Sequence, residues 1–226
     1  MERFEEVLAF LPVRIRDSLY GDVNIKNMCK TRQLSEIRLR VNCPLILMFV
    51  KKEEVCNQII ITVKDIHQCL QFISDYSLYA HEDDVGKGFI TLRGGHRAGL
   101  VGQAIIREGR VVNQNNIGFI NIRVAYEVKG CADRVISFIE GDEGVEHTLI
   151  ISPPACGKTT LLRDVIRQLS DGVYKGCYKV GVVDERSEIA ACFNAAPQND
   201  IGIRTDVINQ VDKSTGMIML LRSMAP

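Results

Sequence analysis

One short loop, residues 152–159, constrains this chain more strongly than any other feature. The residues just before it, 148–151, are mostly apolar and predict a strand. The residues after it predict an amphipathic helix, because apolar side chains recur there at helical spacing. These side chains are Leu161, Leu162, Val165, Ile166 and Leu169. A strand, a tight loop and a helix in this order are typical of a phosphate-binding P-loop.

The loop also carries the chemistry of a polyphosphate site. Its backbone N–H groups, from about Ala155 to Thr160, would be the unpaired donors of a helix N-terminus, where the helix dipole favours an anion. Lys158 would add a positive charge for the β- and γ-phosphates, and the Thr159 hydroxyl is the expected Mg²⁺ ligand. The predicted nucleotide-binding residues are Ser152, Pro153, Pro154, Ala155, Cys156, Gly157, Lys158, Thr159 and Thr160.

The match to the P-loop pattern G-x-x-x-x-G-K-[ST] is incomplete. Ser152 replaces the first glycine, so this serine must adopt a negative φ. Ala155 stands where many such loops have another glycine, whereas Gly157, Lys158 and Thr159 are intact. A chance Gly-Lys-Thr at a helix start is the alternative, and the flanking strand and helix patterns favour the P-loop.

A second candidate site follows the predicted helix. Residues 179–183 predict a buried strand that ends in Asp184 and Glu185. At such a strand end, P-loop ATPases place one carboxylate beside magnesium and another that orients the attacking water. We therefore predict that Asp184 binds Mg²⁺ and that Glu185 acts with Lys158 in catalysis. A solvated strand end without a catalytic role is the alternative.

Short helix and strand patterns alternate along the first part of the chain. The predicted helices are at 4–10, at 13–19, after Thr62 as N-cap, and at 131–139; the predicted strands are at 36–41, 44–50, 58–61 and 118–124. Gly141 to Gly144 is a polar, glycine-flanked linker. We therefore predict an α/β protein with an N-terminal α+β domain at 1–143 and a RecA/AAA+-like P-loop domain at 144–226.

A glycine pair, Gly94-Gly95, predicts the turn of a β-hairpin between two strand patterns. Arg93, His96 and Arg97 lie around this turn. They form either a solvated hairpin tip or a cationic tip that reaches a nucleotide or a neighbouring subunit.

Composition excludes several classes of protein. The 28 Lys and Arg residues balance the 28 Asp and Glu residues, so no global basic field recruits nucleic acid or anionic lipid. The longest apolar run, 44–50, is too short to span a bilayer, and the acidic N-terminus does not fit a signal peptide. The eight cysteines are widely spaced, as expected for reduced thiols. We predict a cytoplasmic protein with no direct membrane insertion and no nucleic-acid partner.

The predicted P-loop domain looks incomplete at its C-terminus. A RecA/AAA+ sheet needs about five parallel strands, covered on both faces, and only two strand patterns follow residue 147. We therefore expect these 226 residues to be the N-terminal part of a longer chain. The remainder would add strands and another acidic strand end. In that case the added strand end would be the principal Walker B site, and Asp184 with Glu185 would be an accessory acidic pair. A naturally short, inactive protein is the alternative.

Several segments together form a pattern more specific than the P-loop by itself. They are 151–164, 180–190, 200–207 and 216–224 in the second half, and 36–40, 94–97, 99–102, 121–124 and 129–133 in the first. Through these segments, nearly the whole chain closely resembles the stage III sporulation protein AA family. That family in turn resembles the ATPases of type II secretion and type IV pilus machines.

The resemblance implies a fuller function. It implies an ATP-hydrolysing hexameric ring on the mother-cell side of a channel complex between mother cell and forespore, with membrane-embedded channel proteins as partners. It matches the Gly-Lys-Thr of the loop to the nucleotide site, and Asp184 with Glu185 to the family's first acidic strand end. It also implies that Arg93, Arg97 and Arg123 are candidates for γ-phosphate contacts, from the N-terminal domain or a neighbouring subunit.

Two other functions remain open from the sequence. A nucleotide-gated scaffold would bind ATP without turnover. A P-loop protein acting on single-stranded nucleic acid would use the same phosphate chemistry, but it needs a basic groove with aromatic platforms. This sequence has no Trp, and its positive and negative charges are balanced. Both properties disfavour the nucleic-acid function.

Overall fold

The structure is a computed structural model that describes residues 2–77, 81–154 and 156–226. These residues form two compact units, Met1–Tyr126 and Glu127–Pro226. Within the described ranges, none of the helices has both the length and the apolar content needed to cross a bilayer.

The first unit ends earlier in the chain than the sequence predicts. The predicted boundary is the linker at 141–144, whereas the structure divides after Tyr126. The cause is a short apolar segment before the linker, in which Ile136 and Ile139 are buried in one cluster with Leu169 of the helix that follows the P-loop. That segment therefore shares the core of the second unit.

The described part of the first unit contains the helices α1 (Glu2–Leu8), α2 (Val13–Gly21), α3 (Val23–Thr31), α4 (Val63–Ile73) and α5 (Glu82–Lys87). The start of α4 is confirmed. Thr62 Oγ1 accepts the Asp65 N–H at 3.2 Å, and the Asp65 carboxylate accepts the Thr62 N–H at 2.8 Å, which makes a capping box. The sequence did not predict α3, which begins where the Asp22 carboxylate accepts the N–H groups of Asn24 and Ile25.

Among the described residues, the first unit has one sheet of six strands. They are β1 (Leu34–Arg40), β2 (Pro44–Phe49), β3 (Lys52–Ile60), β4 (Phe89–Thr91), β5 (Arg97–Arg107) and β6 (Arg110–Arg123), in the order β3-β2-β1-β6-β5-β4. All neighbouring strands run antiparallel. Alternate side chains, such as Ile37 and Ile122, pack with the helices in a single core. The side chains between them, such as Arg38 and Arg123, lie on the opposite face.

The predicted hairpin at Gly94-Gly95 is confirmed, because β4 pairs with β5 around a short turn at 93–95. Gly94 and Gly95 have φ values of 80° and 78°, a region that glycine enters without strain. His96 is fully buried rather than solvated. Its Nδ1 accepts the Ala125 N–H at 3.0 Å, so its Nε2 carries the proton that is donated to the Glu6 carboxylate at 3.0 Å.

The described part of the second unit has α6 (Ile136–Ile139), α7 (Lys158–Asp171), α8 (Lys213–Ser223) and two parallel strands, β7 (Val180–Asp184) and β8 (Thr205–Asn209). Both α7 and β7 confirm sequence predictions. The predicted helix at 131–139 forms only over the residues of α6, and the residues before it adopt turns. β8 has no counterpart in the sequence prediction.

The strand predicted at 148–151 is wrong. These residues have no strand structure, and the side chains of Leu149 and Ile151 are 81% and 80% exposed. A parallel strand is stable when neighbours pair with it and both faces are covered. In the described chain, β7 and β8 pair with each other and neither pairs with 148–151. The apolar pattern therefore lacks the hydrogen-bonding neighbour that a strand needs.

Candidate nucleotide site

The turn before α7 ends in a glycine with a positive φ. Gly157 adopts φ 80°, and α7 begins at the next residue, Lys158. The Leu161 N–H donates to the Gly157 carbonyl at 2.9 Å, which closes the first helical turn. The N–H groups of this first turn have no acceptor one turn earlier in the helix, so they point out of its N-terminus. They form the positive end of the helix dipole, where an anion is stabilised.

The side chain of Lys158 lies across its own loop. Its Nζ donates to the carbonyl oxygens of Ser152 and Pro153, both at 2.8 Å, and approaches Ser152 Oγ at 3.4 Å. Ser152 does not have a positive φ, which agrees with the negative φ that its place in the loop requires. The predicted site residue Ala155 lies outside the described residues. The carbonyls around the ammonium are oxygen acceptors, which phosphate oxygens can replace.

A cavity of about 380 Å³ adjoins the loop. This volume is within the range of about 300–1,000 Å³ of small-molecule sites. The residues that line it are Ile150, Lys158, Thr159, Leu162, Val183, Asp184, Glu185, Arg186, Glu188, Ile189 and Lys213. The structure therefore brings together the four residues to which the sequence gave specific roles, from the loop and from the end of β7.

The carboxylate of Asp184 is buried and shapes the loop that follows β7. Its Oδ1 accepts the N–H of Glu188 at 2.9 Å, and its Oδ2 accepts the N–H groups of Ile189 and Ala190, each at 3.0 Å. An ionised carboxylate offers about four acceptor positions. These three bonds therefore leave Oδ1 one position for a further donor or a cation.

Sequence reasoning gave no role to several residues of this cavity. Lys213, at the start of α8, lies 3.3 Å from the Glu185 carboxylate and forms an ion pair with it. Glu188 adds a further exposed carboxylate to the wall. Glu188 follows Asp184 in one polar run, a signal that the sequence contained, whereas Lys213 is brought in by the packing of α8 on β7.

The family follows from comparison with known proteins. The family model described as "Sporulation stage III, protein AA" matches residues 1–226. The chain belongs to this family. It is 40% identical over 195 residues to the stage III sporulation protein AA of Bacillus subtilis (strain 168), an alignment that covers 86% of this chain. The same alignment covers 63% of the relative, so the chain spans less than two thirds of that protein's length.

Comparison with solved structures gives two matches over most of this chain. The pilus retraction motor PilT with bound ADP matches with a TM-score of 0.50 and 14% identity, over 88% of this chain and 55% of PilT. The Legionella pneumophila ATPase DotB matches with a TM-score of 0.49 and 16% identity, over 84% of this chain and 53% of DotB. At such identities the likeness to PilT shows the fold alone, a mixed α/β fold.

In this member of the sporulation stage III protein AA family, the three predicted γ-phosphate arginines all lie in the first unit. Arg93 is exposed in the hairpin turn. Arg97 and Arg123 are directly opposite each other on β5 and β6. The Arg97 guanidinium stacks 3.4 Å from the centre of the Phe89 ring, and Arg123 Nε lies 3.5 Å from a Glu36 carboxylate oxygen. The Glu36 carboxylate therefore offsets part of the repulsion that arises between like charges on opposite strand positions.

Proposed function

We propose that this chain is the ATP-binding and ATP-hydrolysing subunit of a sporulation channel complex. The observation that supports the proposal is the single cavity shared by Lys158 and Thr159 at the start of α7 and by Asp184 and Glu185 at the end of β7. A cationic loop beside two carboxylates is the arrangement with which P-loop ATPases hold a magnesium nucleotide. The second unit would then be a RecA/AAA+-like P-loop domain, and the first its α+β companion.

The donors of the cavity fit Mg²⁺. Thr159 contributes a hydroxyl oxygen, and Asp184 Oδ1 keeps an acceptor position beyond its bond to the Glu188 amide. Hard oxygen donors of these two kinds, together with phosphate oxygens, are the ligands that Mg²⁺ prefers. When bound, Mg²⁺ would supply positive charge that neutralises the phosphate oxygens. We propose Thr159 and Asp184 as its protein ligands.

The protein's own groups would bind the phosphates and orient the attacking water. Lys158 would exchange its bonds to the Ser152 and Pro153 carbonyls for phosphate oxygens. The N–H groups of the first turn of α7 would hold the phosphates at the helix N-terminus. Glu185 would orient the attacking water, because its side chain lines the same cavity as Lys158. Negative charge that develops on the phosphate oxygens in the transition state would thus be stabilised by hydrogen-bond donors that are already in position.

We further propose a hexameric ring on the mother-cell side of a membrane, with membrane-embedded sporulation channel proteins as partners and no nucleic-acid partner. The family assignment and the likeness in fold to a pilus motor support this arrangement. Arg93, Arg97 or Arg123 would reach the γ-phosphate, from the same chain or from a neighbouring subunit. An arginine supplied in this way stabilises the charge of phosphoryl transfer.

The test is the substitution Lys158→Ala in the full chain. We expect loss of ATP binding, measured by the fluorescence of a labelled ATP analogue, because the substitution removes the ammonium from the loop. Charged groups that contact phosphate contribute roughly 1.5–3 kcal/mol each, so the affinity should fall at least tenfold. Lys175→Ala is the matched control, since Lys175 pairs with exposed Asp142 in the same unit. Equal affinity of wild type and Lys158→Ala would refute the assigned loop.

A nucleotide-gated scaffold is a second candidate. The ion pair between Lys213 and Glu185 favours it, because this pair engages the carboxylate that would orient water. Phosphate release from the full wild-type chain, measured beside Glu185→Gln, separates the two functions. Release from wild type that Glu185→Gln abolishes supports hydrolysis, whereas ATP binding without release from wild type supports the scaffold.

A further inference from the structure

The loop after β7 is tied to the P-loop helix by one arginine. Arg163, on α7, donates from Nε to the Ile189 carbonyl at 2.8 Å and from its terminal nitrogen to the Glu188 carbonyl at 2.6 Å. The Asp184 carboxylate accepts the N–H groups of the same two residues. The backbone at Glu188 and Ile189 thus donates to Asp184, at the end of β7, and accepts from Arg163, on α7.

Further contacts restrain this stretch, which we call the acid loop and define as residues 185–190. Asn199 Nδ2 also donates to the Ile189 carbonyl, at 2.8 Å. The backbone N–H of Asn199 and that of Gln198 both donate to the Ala190 carbonyl. The acid loop carries Glu185 and Glu188, two carboxylates that line the cavity. Their positions depend on how firmly this backbone is held.

Arg163 is placed to connect the acid loop with the phosphate loop. It follows Thr159 by four residues on α7, so the two side chains lie one turn apart on the same side of a single helix. Burial lowers the pKa of Arg163, although the negative charges of Glu127 and Asp184 oppose that shift. A guanidinium in this setting forms its two bonds with fixed fork geometry, which the single ammonium of a lysine cannot reproduce.

We propose that Arg163 is a positioning residue that fixes the acid loop to α7, so that Glu185 and Glu188 keep their places in the cavity beside Lys158 and Thr159. The proposal rests on the proposed nucleotide function and adds a structural coupling between the phosphate loop and the acid loop. Nucleotide phosphates bound at the start of α7 and the carboxylates of the acid loop then belong to one rigid assembly.

The test uses Arg163→Lys in the full chain, with Arg167→Lys as the matched control. Arg167 lies one turn further along α7 and binds Asp164 rather than the acid loop. For Arg163→Lys we expect faster hydrogen exchange at the amides of Glu188, Ile189 and Ala190 in nucleotide-free protein. We also expect kcat to fall about 10- to 100-fold, the effect of a misplaced catalytic group, with little change in KM. Arg167→Lys should change neither quantity.

A binding measurement separates positioning from a general loss of structure. Affinity for ATP in EDTA should be the same in wild type and Arg163→Lys, because the phosphate loop is untouched. The gain in affinity on adding Mg²⁺ should be smaller in Arg163→Lys. Unchanged exchange at 188–190, or a loss of affinity in EDTA as large as the loss of kcat, would overturn the proposal.

Two further outcomes distinguish this proposal from the proposed function. ATP binding without hydrolysis in wild type would refute the proposed ATPase function. The hydrogen-exchange measurement and the gain in affinity on adding Mg²⁺ would still decide the role of Arg163. Absence of ATP binding in wild type would refute the proposed function, and hydrogen exchange in nucleotide-free protein would still decide whether Arg163 holds the acid loop. If Arg163→Lys does not fold, Asn199→Ala replaces it, because Asn199 donates to the same Ile189 carbonyl from a position outside α7. Normal exchange at 188–190 in that variant would count against a coupled acid loop.

Discussion

At the scale of single residues, the buried His96 makes the first unit sensitive to acid. Burial lowers its pKa and Arg3 adds to that shift, while the hydrogen bond and charge of Glu6 oppose it. The neutral ring accepts the Ala125 N–H through Nδ1, and a protonated ring could not accept it. In the unfolded chain, histidine has a pKa of about 6.5. Between that value and the lowered pKa of the folded state, the unfolded chain therefore binds more protons than the folded one.

The sign of the pH dependence follows. The stability that neutral His96 contributes is fully present above about pH 6.5 and is lost as the pH falls from there through the lowered pKa of the folded state. We expect the free energy of unfolding, measured by urea titration, to fall over this interval in wild type. His96→Gln should flatten that fall, whereas the exposed His67→Gln should leave it unchanged. A His96→Gln profile parallel to wild type would contradict this role.

At the scale of elements, the capping box of α4 should have a measurable effect. Thr62→Ala removes the oxygen that accepts the Asp65 N–H. We expect it to lower the free energy of unfolding by about 1 kcal/mol, the usual cost of losing an N-cap. Thr31→Ala is the control, because the Thr31 hydroxyl donates to carbonyls of its own helix and caps no N-terminus. Equal losses in the two variants would show that the capping box does not stabilise α4.

Elements fixed by local chemistry could be predicted from the sequence. Gly94-Gly95 marked a hairpin because both residues adopt positive φ, and Thr62 marked a helix start because its hydroxyl caps a neighbouring amide. The strand predicted at 148–151 failed because a strand depends on partners far away in sequence. For the same reason the pattern did not reveal β8, whose partner is β7.

The candidate site also contains some residues that the sequence could predict and others that it could not. The Gly-Lys-Thr of the loop and the Asp184-Glu185 strand end carry local signatures, and the structure brings them to one cavity. The contacts of Lys213 with Glu185 and of Arg163 with the acid loop join residues that are distant in sequence. No periodic pattern encodes such contacts, because they arise from how α7 and α8 pack around β7.

At the scale of the whole molecule, the two units differ in how their cores are built. The first unit has a single continuous core shared by its helices and its sheet. The described part of the second unit has two small apolar clusters, and both include side chains of α7. A fragment with one large core retains most of its stabilising burial when it is separated from the rest of the chain.

We therefore expect a fragment of residues 1–126 to fold by itself. Its urea unfolding should be one cooperative transition, with nearly the same midpoint as the corresponding transition of the full chain. Circular dichroism would follow the helices, and hydrogen exchange at Ile37 and Ile122 would report on the centre of the sheet. A fragment without protected amides at these positions would show that the first unit depends on the second.

Because the Lys158 ammonium is bound to the carbonyls of its own loop, phosphate binding at the proposed site would be an exchange of one set of acceptors for another. Each phosphate oxygen would substitute for a neutral carbonyl acceptor, so the loss of the old bonds would offset only part of the stronger charge-assisted bonds that form. On release of the proposed nucleotide, the same carbonyls would accept the ammonium again, so no unsolvated cation would remain in the loop. The proposed cycle of ATP binding and release would therefore move the Lys158 ammonium between two sets of oxygen acceptors.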